Sequence, residues 1–208
     1  MRKSSSNRWL REHFSDAYVK GARRDGLRAR SAYKLIEINQ KYHLVKPGMI
    51  VVDLGAAPGS WSVYLAGIVG VEGKVFALDR LPMAAIDGVE FILGDFSKDS
   101  VVNFLHTRVS SKQIDVVLSD MAPNLSGIKC VDSLRSIELT EQALNFACKV
   151  LKPGGSFLIK IFHGNGLRDF HKLVEEYFCV VKVLKPKASR ARSSEVFLMA
   201  RNFRPQKF

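Results

Sequence analysis

Cysteine is scarce in this chain: the 208 residues include only Cys130, Cys148 and Cys179. Their number is odd, they lie in apolar contexts, and no two have the Cys-x-x-Cys spacing of a metal or redox site. We therefore expect reduced thiols in the core of a cytoplasmic protein, and no metal site.

Long hydrophobic runs are also missing. No apolar stretch reaches the length needed to cross a membrane, and the basic N-terminal sequence lacks the apolar segment of a secretory signal. The composition is ordinary for a globular protein, with 47% apolar and 25% charged residues. We expect a single domain over residues 1–208, a monomer without membrane association.

Negative charge is scarce at the two ends of the chain. Residues 1–46 hold twelve Lys and Arg against four Asp and Glu, and residues 182–208 hold eight against one. The middle of the chain is slightly acidic, so the net charge of +12 belongs to the ends. Aromatic residues lie among the N-terminal charges: Trp9, Phe14, Tyr18 and Tyr33. This pattern predicts that residues 1–46, with a helix near 28–41, form a basic RNA-binding extension packed on the domain.

From residue 50 onward, strand-like apolar runs alternate with segments of helical spacing. The predicted strands are 50–54, 74–78, 89–93, 114–119, 156–162, 179–184 and 195–200, and the predicted helices are 60–69, 98–109, 134–151 and 166–177. Such alternation is typical of a mostly parallel sheet with helices on both faces. The connection at 185–194 is too short for a helical crossover, so the last two strands should form an antiparallel hairpin at the end of the sheet.

The loop at 51–61 follows the first predicted strand and opens a helix. Its glycines, Gly55 and Gly59, have neither the Gly-x-Gly-x-x-Gly spacing of a dinucleotide site nor the lysine of a phosphate-binding P-loop. Asp53-Leu54-Gly55 followed by small residues instead resembles the first motif of S-adenosylmethionine-dependent methyltransferases. The alternative is a tight turn without a ligand.

Acidic residues follow three further strands. Asp79 lies 24 residues after Gly55, where an acid can accept the ribose hydroxyls of an adenosine, and the carboxylate of Asp95 could accept the adenine amino group. Asp120 follows the fourth strand. Each could be only a cap or turn residue, but their common position at one edge of the sheet favours an adenosyl ligand.

Lys160 is an unusual residue because apolar residues flank it on both sides in its strand. A charged group in such an apolar run needs a partner of opposite charge. Asp120 is the expected partner, because it ends a strand that should lie beside the strand of Lys160. A partly desolvated lysine can act as a general base. Lys34 and Glu195 are two further candidates, and the alternative for all three is an ordinary surface position.

The absence of two kinds of catalytic residue excludes two classes of methyl acceptor. Residues 120–124 contain an acid and a proline but lack the aromatic residue that amino-methyltransferases use to stack a base. No cysteine is placed as the nucleophile that C5-methylation of pyrimidines requires. A hydroxyl acceptor fits best, because transfer to a ribose 2′-OH needs a base and accurate positioning.

Taken together, these residues resemble the FtsJ/RrmJ family of ribose 2′-O-methyltransferases, in particular the RlmE-type branch that acts on 23S ribosomal RNA. The matching motifs span nearly the whole chain: Ser6-Asn7-Arg8-Trp9-Leu10, Phe14-Ser15-Asp16, Ser31-Ala32-Tyr33-Lys34-Leu35, the loop at 51–61, Ser119-Asp120-Met121-Ala122-Pro123-Asn124 and Ser189-Arg190-Ala191-Arg192-Ser193. Two positions depart from the family pattern. Ser60 stands where a further glycine is common, and Phe197 stands where a tyrosine is often found.

The resemblance implies a Rossmann-like α/β methyltransferase fold and assigns roles to particular residues. The catalytic tetrad would be Lys34, Asp120, Lys160 and Glu195, with Lys160 as general base held by Asp120 and Glu195. Contacts to S-adenosylmethionine would come from Asp53, Gly55, Gly59, Trp61, Asp79, Asp95 and Asp120.

The implied function is 2′-O-methylation of a uridine ribose in the A-loop of 23S rRNA, within the 50S subunit or its precursor. Such a reaction needs no metal. Two alternatives remain open at this point: a 2′-O-methyltransferase acting on a tRNA anticodon loop, and a non-catalytic RNA-binding factor in ribosome assembly.

Overall fold

The computed structural model describes residues 17–110, 113–123, 127, 129–162, 164, 166–190 and 193–205. Parts of the sequence motifs lie outside these residues, namely the motifs at 6–10 and 14–16, Trp9 and Phe14 among them, with Asn124, Ala191 and Arg192. The helices are α1 (Ala17–Arg24), α2 (Ala32–Tyr42), α3 (Ser60–Val69), α4 (Asp99–Val109), α5 (Lys129–Val150) and α6 (Leu167–Tyr177). The strands are β1 (Ile50–Leu54), β2 (Lys74–Asp79), β3 (Val89–Leu93), β4 (Ile114–Ser119), β5 (Leu151–Phe162), β6 (Phe178–Leu184) and β7 (Glu195–Phe203).

The strands form one seven-stranded sheet in the order β3-β2-β1-β4-β5-β7-β6. The pairings among β1 to β5 are all parallel, and β7 is antiparallel to both β5 and β6. The predicted fold class is confirmed, including the antiparallel pair of strands at the end of the sheet. Since the carboxyl ends of β1, β2, β3, β4 and β5 lie at one edge, the residues that follow these strands share that rim.

Alternation along each strand divides the core into two layers. Val52 and Leu54 of β1 face the layer made with α4, α5 and α6, whereas Val51 faces the layer made with α2 and α3. The same rule applies in β5, where Phe157, Ile159 and Ile161 belong to the first layer and Leu158 to the second. Lys160 has the parity of Leu158, so it stands on the side of the sheet that α2 and α3 cover.

Helix ends follow the local sequence. Helix α2 ends at Tyr42 because His43 takes the left-handed conformation, with φ of 49° and its N–H donating to the Asn39 carbonyl at 2.8 Å. Helix α5 ends at Val150, one residue before the predicted end, and Lys152-Pro153-Gly154-Gly155 follows it. Pairing of β5 with β4 then becomes regular from Ser156 onward.

The cysteines depart from the predicted core placement. Cys179 is exposed, because β6 is an edge strand with one neighbour. Cys148 is half-buried, and its burial raises the pKa of the thiol to about 11. The side chain of Cys130 lies outside the described part of the structure. Among the helices that are described, none combines the length and the apolar character needed to cross a membrane.

Candidate active site

The turn from β1 into α3 is built on two glycines with positive φ, 80° at Gly55 and 97° at Gly59. A Cβ added to Gly55 would lie 2.8 Å from Met121 Cγ and 2.9 Å from the Met121 backbone nitrogen. The N–H groups of Gly55 and Ala56 donate to the Leu78 carbonyl at 2.9 and 3.1 Å, which ties the loop to the end of β2. Only glycine fits position 55 without strain and collision.

A cavity of about 560 Å³ opens beside this turn. Its volume lies in the range of small-molecule sites. It is lined by residues from the carboxyl ends of four strands and from one face of α5: Gly55, Ala57, Leu78, Asp79, Arg80, Leu81, Gly94, Asp95, Phe96, Ser97, Asp120, Met121, Ala122, Pro123, Arg135, Glu138, Leu139 and Gln142. Four of the predicted site residues, Gly55, Asp79, Asp95 and Asp120, therefore meet in one place.

The acids in the cavity are held by short-range hydrogen bonds. Asp79 accepts from the N–H of Ala57 at 2.9 Å and from that of Leu81 at 2.8 Å, one on each carboxylate oxygen. The backbone N–H and the hydroxyl of Ser97 both donate to Oδ1 of Asp95, and they lower the pKa of that carboxyl below its usual range. Each carboxylate is thereby oriented, and each keeps lone pairs for a further donor.

Three of the predicted cofactor residues do not line the cavity. Trp61, in the first turn of α3, is buried in the layer that α3 forms with α2, and its indole N–H donates to the Ser31 carbonyl at 2.9 Å. Gly59 precedes α3, and its φ of 97° lies in the left-handed region that favours glycine. Asp53 lies below the turn, fully buried, and accepts a hydrogen bond from Ser62 Oγ at 2.7 Å.

The predicted pairing of Lys160 with Asp120 is present. Lys160 Nζ lies 2.8 Å from Asp120 Oδ1 and donates to the Asp120 backbone carbonyl at 2.6 Å. Asp120 follows β4, and Lys160 lies near the carboxyl end of the neighbouring strand β5, so the topology brings the two together. The lysine side chain is only 9% exposed, and the carboxylate it contacts also lines the cavity.

Glu195 and Lys34 form a second ion pair beside the first, with Lys34 Nζ 2.7 Å from Glu195 Oε1. We expected Glu195 to hold Lys160; its direct partner is Lys34, and the charge of Lys160 acts on it through space. Burial alone would raise the pKa of Glu195. The Lys34 ion pair, the Lys160 charge and a 3.0 Å hydrogen bond from Ser189 Oγ outweigh that effect and lower this pKa.

The four side chains come from four elements and lie on one side of the sheet. In the β5–β7 ladder Lys160 is opposite Phe197 and Phe162 is opposite Glu195, so Lys160 and Glu195 share a face two residues apart. Lys34 extends from α2 over the Phe197 ring, with Nζ 5.8 Å from the ring centre. The result is two adjacent lysine–carboxylate pairs of balanced charge, one of which reaches the cavity. Such an arrangement can hold and deprotonate a hydroxyl group.

Sequence reasoning missed the contribution of α5 to the cavity. Arg135, Glu138, Leu139 and Gln142 have the i, i+3, i+4, i+7 spacing of one helix face. That spacing is visible in the sequence, but it predicts a helix face without saying what the face covers. Ser189 was noted only as part of a motif, and its contact with Glu195 depends on the fold of the β6–β7 connection.

Comparison with known proteins identifies methyltransferases as the relatives of this chain. A family model described as FtsJ-like methyltransferase matches residues 27–203. Ribosomal RNA large subunit methyltransferase E from Azoarcus sp. (strain BH72) is 52% identical over 203 residues, which cover 98% of this chain and 99% of that protein. The protein of the same name from Acinetobacter baumannii (strain AYE) is 54% identical over 195 residues, covering 94% and 90%.

Solved structures with a similar fold are also known. A ribosomal RNA methyltransferase from Plasmodium falciparum has a TM-score of 0.75 and 31% identity, covering 86% of this chain and all of that one. An rRNA-methylase from Clostridium thermocellum, at 20% identity with a TM-score of 0.55 over 82% of this chain and 97% of that one, shares the fold.

Proposed function

Because this chain belongs to the FtsJ-like methyltransferase family, we propose that it methylates large-subunit ribosomal RNA, at the 2′-hydroxyl of a uridine in the A-loop of 23S rRNA. The observation that carries the proposal is the buried contact of Lys160 with Asp120 at the edge of the cavity. A cavity with oriented acids supplies a place for a nucleoside donor, and the lysine beside it supplies a proton acceptor. A simple RNA-binding module requires neither.

The residues of the cavity fit S-adenosylmethionine. Asp79 would accept the ribose hydroxyls and Asp95 the adenine amino group, with Phe96 and Met121 as apolar walls. Gly55 would let the backbone approach the ligand. Asp53 and Gly59 would act by shaping the turn, and Trp61 by its main-chain N–H in the first turn of α3, where such groups lack helical partners. When bound, this cofactor supplies a methyl group on a sulfonium, and loss of that methyl group leaves a neutral thioether.

The chain's own residues would handle the acceptor. Lys160 Nζ would take the proton of the 2′-hydroxyl, and Asp120, 2.8 Å away, would stabilise the ammonium that forms. The Lys34–Glu195 pair would orient the ribose or an adjacent phosphate through the lysine, while the charged carboxylate keeps that lysine in place. Since the leaving group is neutral, no metal is needed to stabilise it.

The described parts of the two basic ends of the chain meet beside these residues, which supports RNA as the substrate. Glu37 of α2 accepts hydrogen bonds from the N–H groups of Lys187 at 3.1 Å and Ala188 at 3.4 Å, and Arg30 donates to the Ala188 carbonyl. The described parts of the N-terminal extension and of the β6–β7 connection therefore lie together beside the tetrad, where both would contact phosphates.

Replacement of Lys160 tests the proposed role. In Lys160→Ala we expect methyl transfer to fall by at least about a hundredfold, since a positioned base contributes at least that much. Affinity for S-adenosylhomocysteine should stay close to that of the wild type. Lys152→Ala is a matched control, because Lys152 lies in the same strand and forms its own ion pair with Asp115. Retained turnover in Lys160→Ala would remove this lysine from the role of base.

The substrate is tested by assays with labelled S-adenosylmethionine. The wild-type protein should methylate 50S particles from a strain that lacks the enzyme, and 2′-O-methyl mapping should place the product on an A-loop uridine. Methylation of free tRNA in place of the particles would favour the anticodon-loop alternative. Tight RNA binding without transfer to any substrate would favour an assembly factor.

A further inference from the structure

The guanidinium of Arg28 joins two loops that are far apart in the sequence. Its Nη1 donates to the Pro58 carbonyl and to the Ala84 carbonyl, both at 3.0 Å, and its Nη2 donates to the Ala85 carbonyl at 3.2 Å. Arg28 belongs to the segment before α2, so an N-terminal residue makes the connection. None of the three acceptors is in the cavity, and neither is Arg28 itself.

Both loops border the cavity. The first runs from Gly55 to Gly59, and the second continues from Asp79, Arg80 and Leu81, which line the cavity wall. The second loop folds back over the first turn of α3: a Cβ built on Gly59 would lie 2.8 Å from Arg28 Nη1, 2.8 Å from Ile86 Cδ1 and 3.1 Å from Met83 Sδ. Arg28 is an exposed residue, and its guanidinium lies where the two loops meet.

The contact suits arginine in particular. Three carbonyl oxygens that converge from two loops need several N–H donors in a fixed plane, and a guanidinium offers five. Lysine has one nitrogen on a flexible stem and cannot span the same acceptors. Closer to the cavity, the loops are also linked by the Ala57 N–H to Asp79 hydrogen bond. Arg28 makes the matching link on the far side of the turn.

We propose that Arg28 is a positioning residue for the methyl donor: it fixes the glycine turn and the 80–86 loop in the spacing that the cavity requires. This inference rests on the proposed function, since it assumes an adenosyl ligand. Arg28 does not line the cavity, so its effect should appear in donor binding and not in the chemical step. The N-terminal extension then contributes to the cofactor site as well as to RNA binding.

The experiment compares Arg28→Ala and Arg28→Lys with the wild type. Calorimetry with S-adenosylhomocysteine should show binding weaker by roughly tenfold or more in Arg28→Ala, as three hydrogen bonds are lost. Arg28→Lys keeps the charge without the planar fork, and we expect at least about fivefold weaker binding. Steady-state assays on 50S particles should show a raised KM for the donor with kcat within about twofold of the wild type. Arg108→Ala is the control, because Arg108 is an exposed arginine of α4, lies outside both basic ends of the chain, and forms its ion pair with Glu90 of β3.

The outcomes separate the two proposals. Wild-type affinity in both Arg28 variants would overturn the inference, and so would full rescue by lysine or a fall in kcat without a change in KM. If the wild type binds S-adenosylhomocysteine but methylates no ribosomal particle, the proposed function fails while the affinity comparison still tests Arg28. Thermal melting of each variant guards against a general loss of folding, and Arg28→Lys serves if Arg28→Ala does not fold.

Discussion

At the scale of single residues, Asp53 has an unusual environment for a carboxyl group. It has no exposed surface, and its Oδ1 accepts no hydrogen bond from the described residues, whereas Oδ2 accepts one from Ser62. Burial, aided by the charges of Asp120 and Asp79 and opposed by the Ser62 hydroxyl, raises the pKa of Asp53 to about 7. An acid whose pKa is higher in the folded state stabilises the fold at low pH, and that contribution is lost as the pH rises through the folded-state pKa.

We therefore expect Asp53→Asn to change the pH dependence of stability. Between pH 5 and pH 8.5 the wild type should lose about 3 kcal/mol of unfolding free energy from this group, as about two pKa units are titrated. The asparagine variant should lack this loss, because its amide stays neutral while its oxygen can still accept from Ser62. Urea denaturation of both proteins at the two pH values measures the difference. Equal pH dependence in the two would show that Asp53 ionises normally in the folded state.

At the scale of elements, the β1–α3 turn combines two requirements in one glycine. Gly55 has the positive φ of the left-handed region, and Met121, in the segment after β4, lies against the position of its absent Cβ. Gly67, in the last turn of α3, has neither constraint, since its φ is not positive and, apart from its chain neighbours and the backbone of its own helix, no heavy atom of the described residues lies within 4 Å of its Cβ position. We therefore expect replacement by alanine to have opposite effects on stability at these two glycines.

Gly55→Ala should destabilise the protein by more than about 2 kcal/mol, through unfavourable φ and the collision with Met121, and should weaken S-adenosylhomocysteine binding. Gly67→Ala should stabilise it by about 0.5–1 kcal/mol without changing the affinity, as expected for glycine replaced inside a helix. Urea denaturation and calorimetry on both variants provide the test. A neutral Gly55→Ala would contradict the close approach seen at the turn.

The elements and the site were not equally predictable from the sequence. Apolar runs bounded by polar residues predicted β1, β3 and β4 with their observed bounds, because the local sequence determines where these strands begin and end. The pairing of Lys160 with Asp120 was predictable since consecutive parallel strands place their ends together. The partner of Glu195 was not, because the position of β7 between β5 and β6 depends on pairing across the whole sheet. The exposure of Cys179 was not predictable for the same reason, because β6 becomes an edge strand only when β7 takes the position between β5 and β6.

At the scale of the whole molecule, the positive charge is distributed unevenly along the chain. The net charge of +12 comes from the two ends of the sequence, and the Glu37 contacts with 187–188 bring parts of both ends to one side of the tetrad. A concentrated positive surface attracts a polyanion at long range, and the attraction depends on ionic strength. The cavity, by contrast, is lined by both acidic and basic side chains. Because S-adenosylhomocysteine is a zwitterion without net charge, its affinity should respond much less to salt.

RNA binding should therefore be strongly salt-dependent. If about six phosphates are contacted, the affinity for 50S particles should fall roughly a thousandfold between 50 and 200 mM monovalent salt at constant magnesium. The affinity for S-adenosylhomocysteine, measured in the same buffers, should change by less than about threefold. Filter binding and calorimetry give the two slopes. A flat salt dependence for the particles would mean that the basic ends do not bind RNA phosphates.

The position of β7 has a consequence for the order in which the protein matures during its own synthesis. Of the seven described strands, β7 is the last to be synthesised, yet it lies between β5 and β6, so in this sheet β6 has no neighbour to pair with until β7 arrives. Glu195 opens that strand and completes the tetrad. A nascent chain that stops short of β7 already carries Lys34, Asp120 and Lys160 but cannot assemble them with their fourth member. Under the proposed function, catalytic competence would therefore be delayed until β7 has been synthesised.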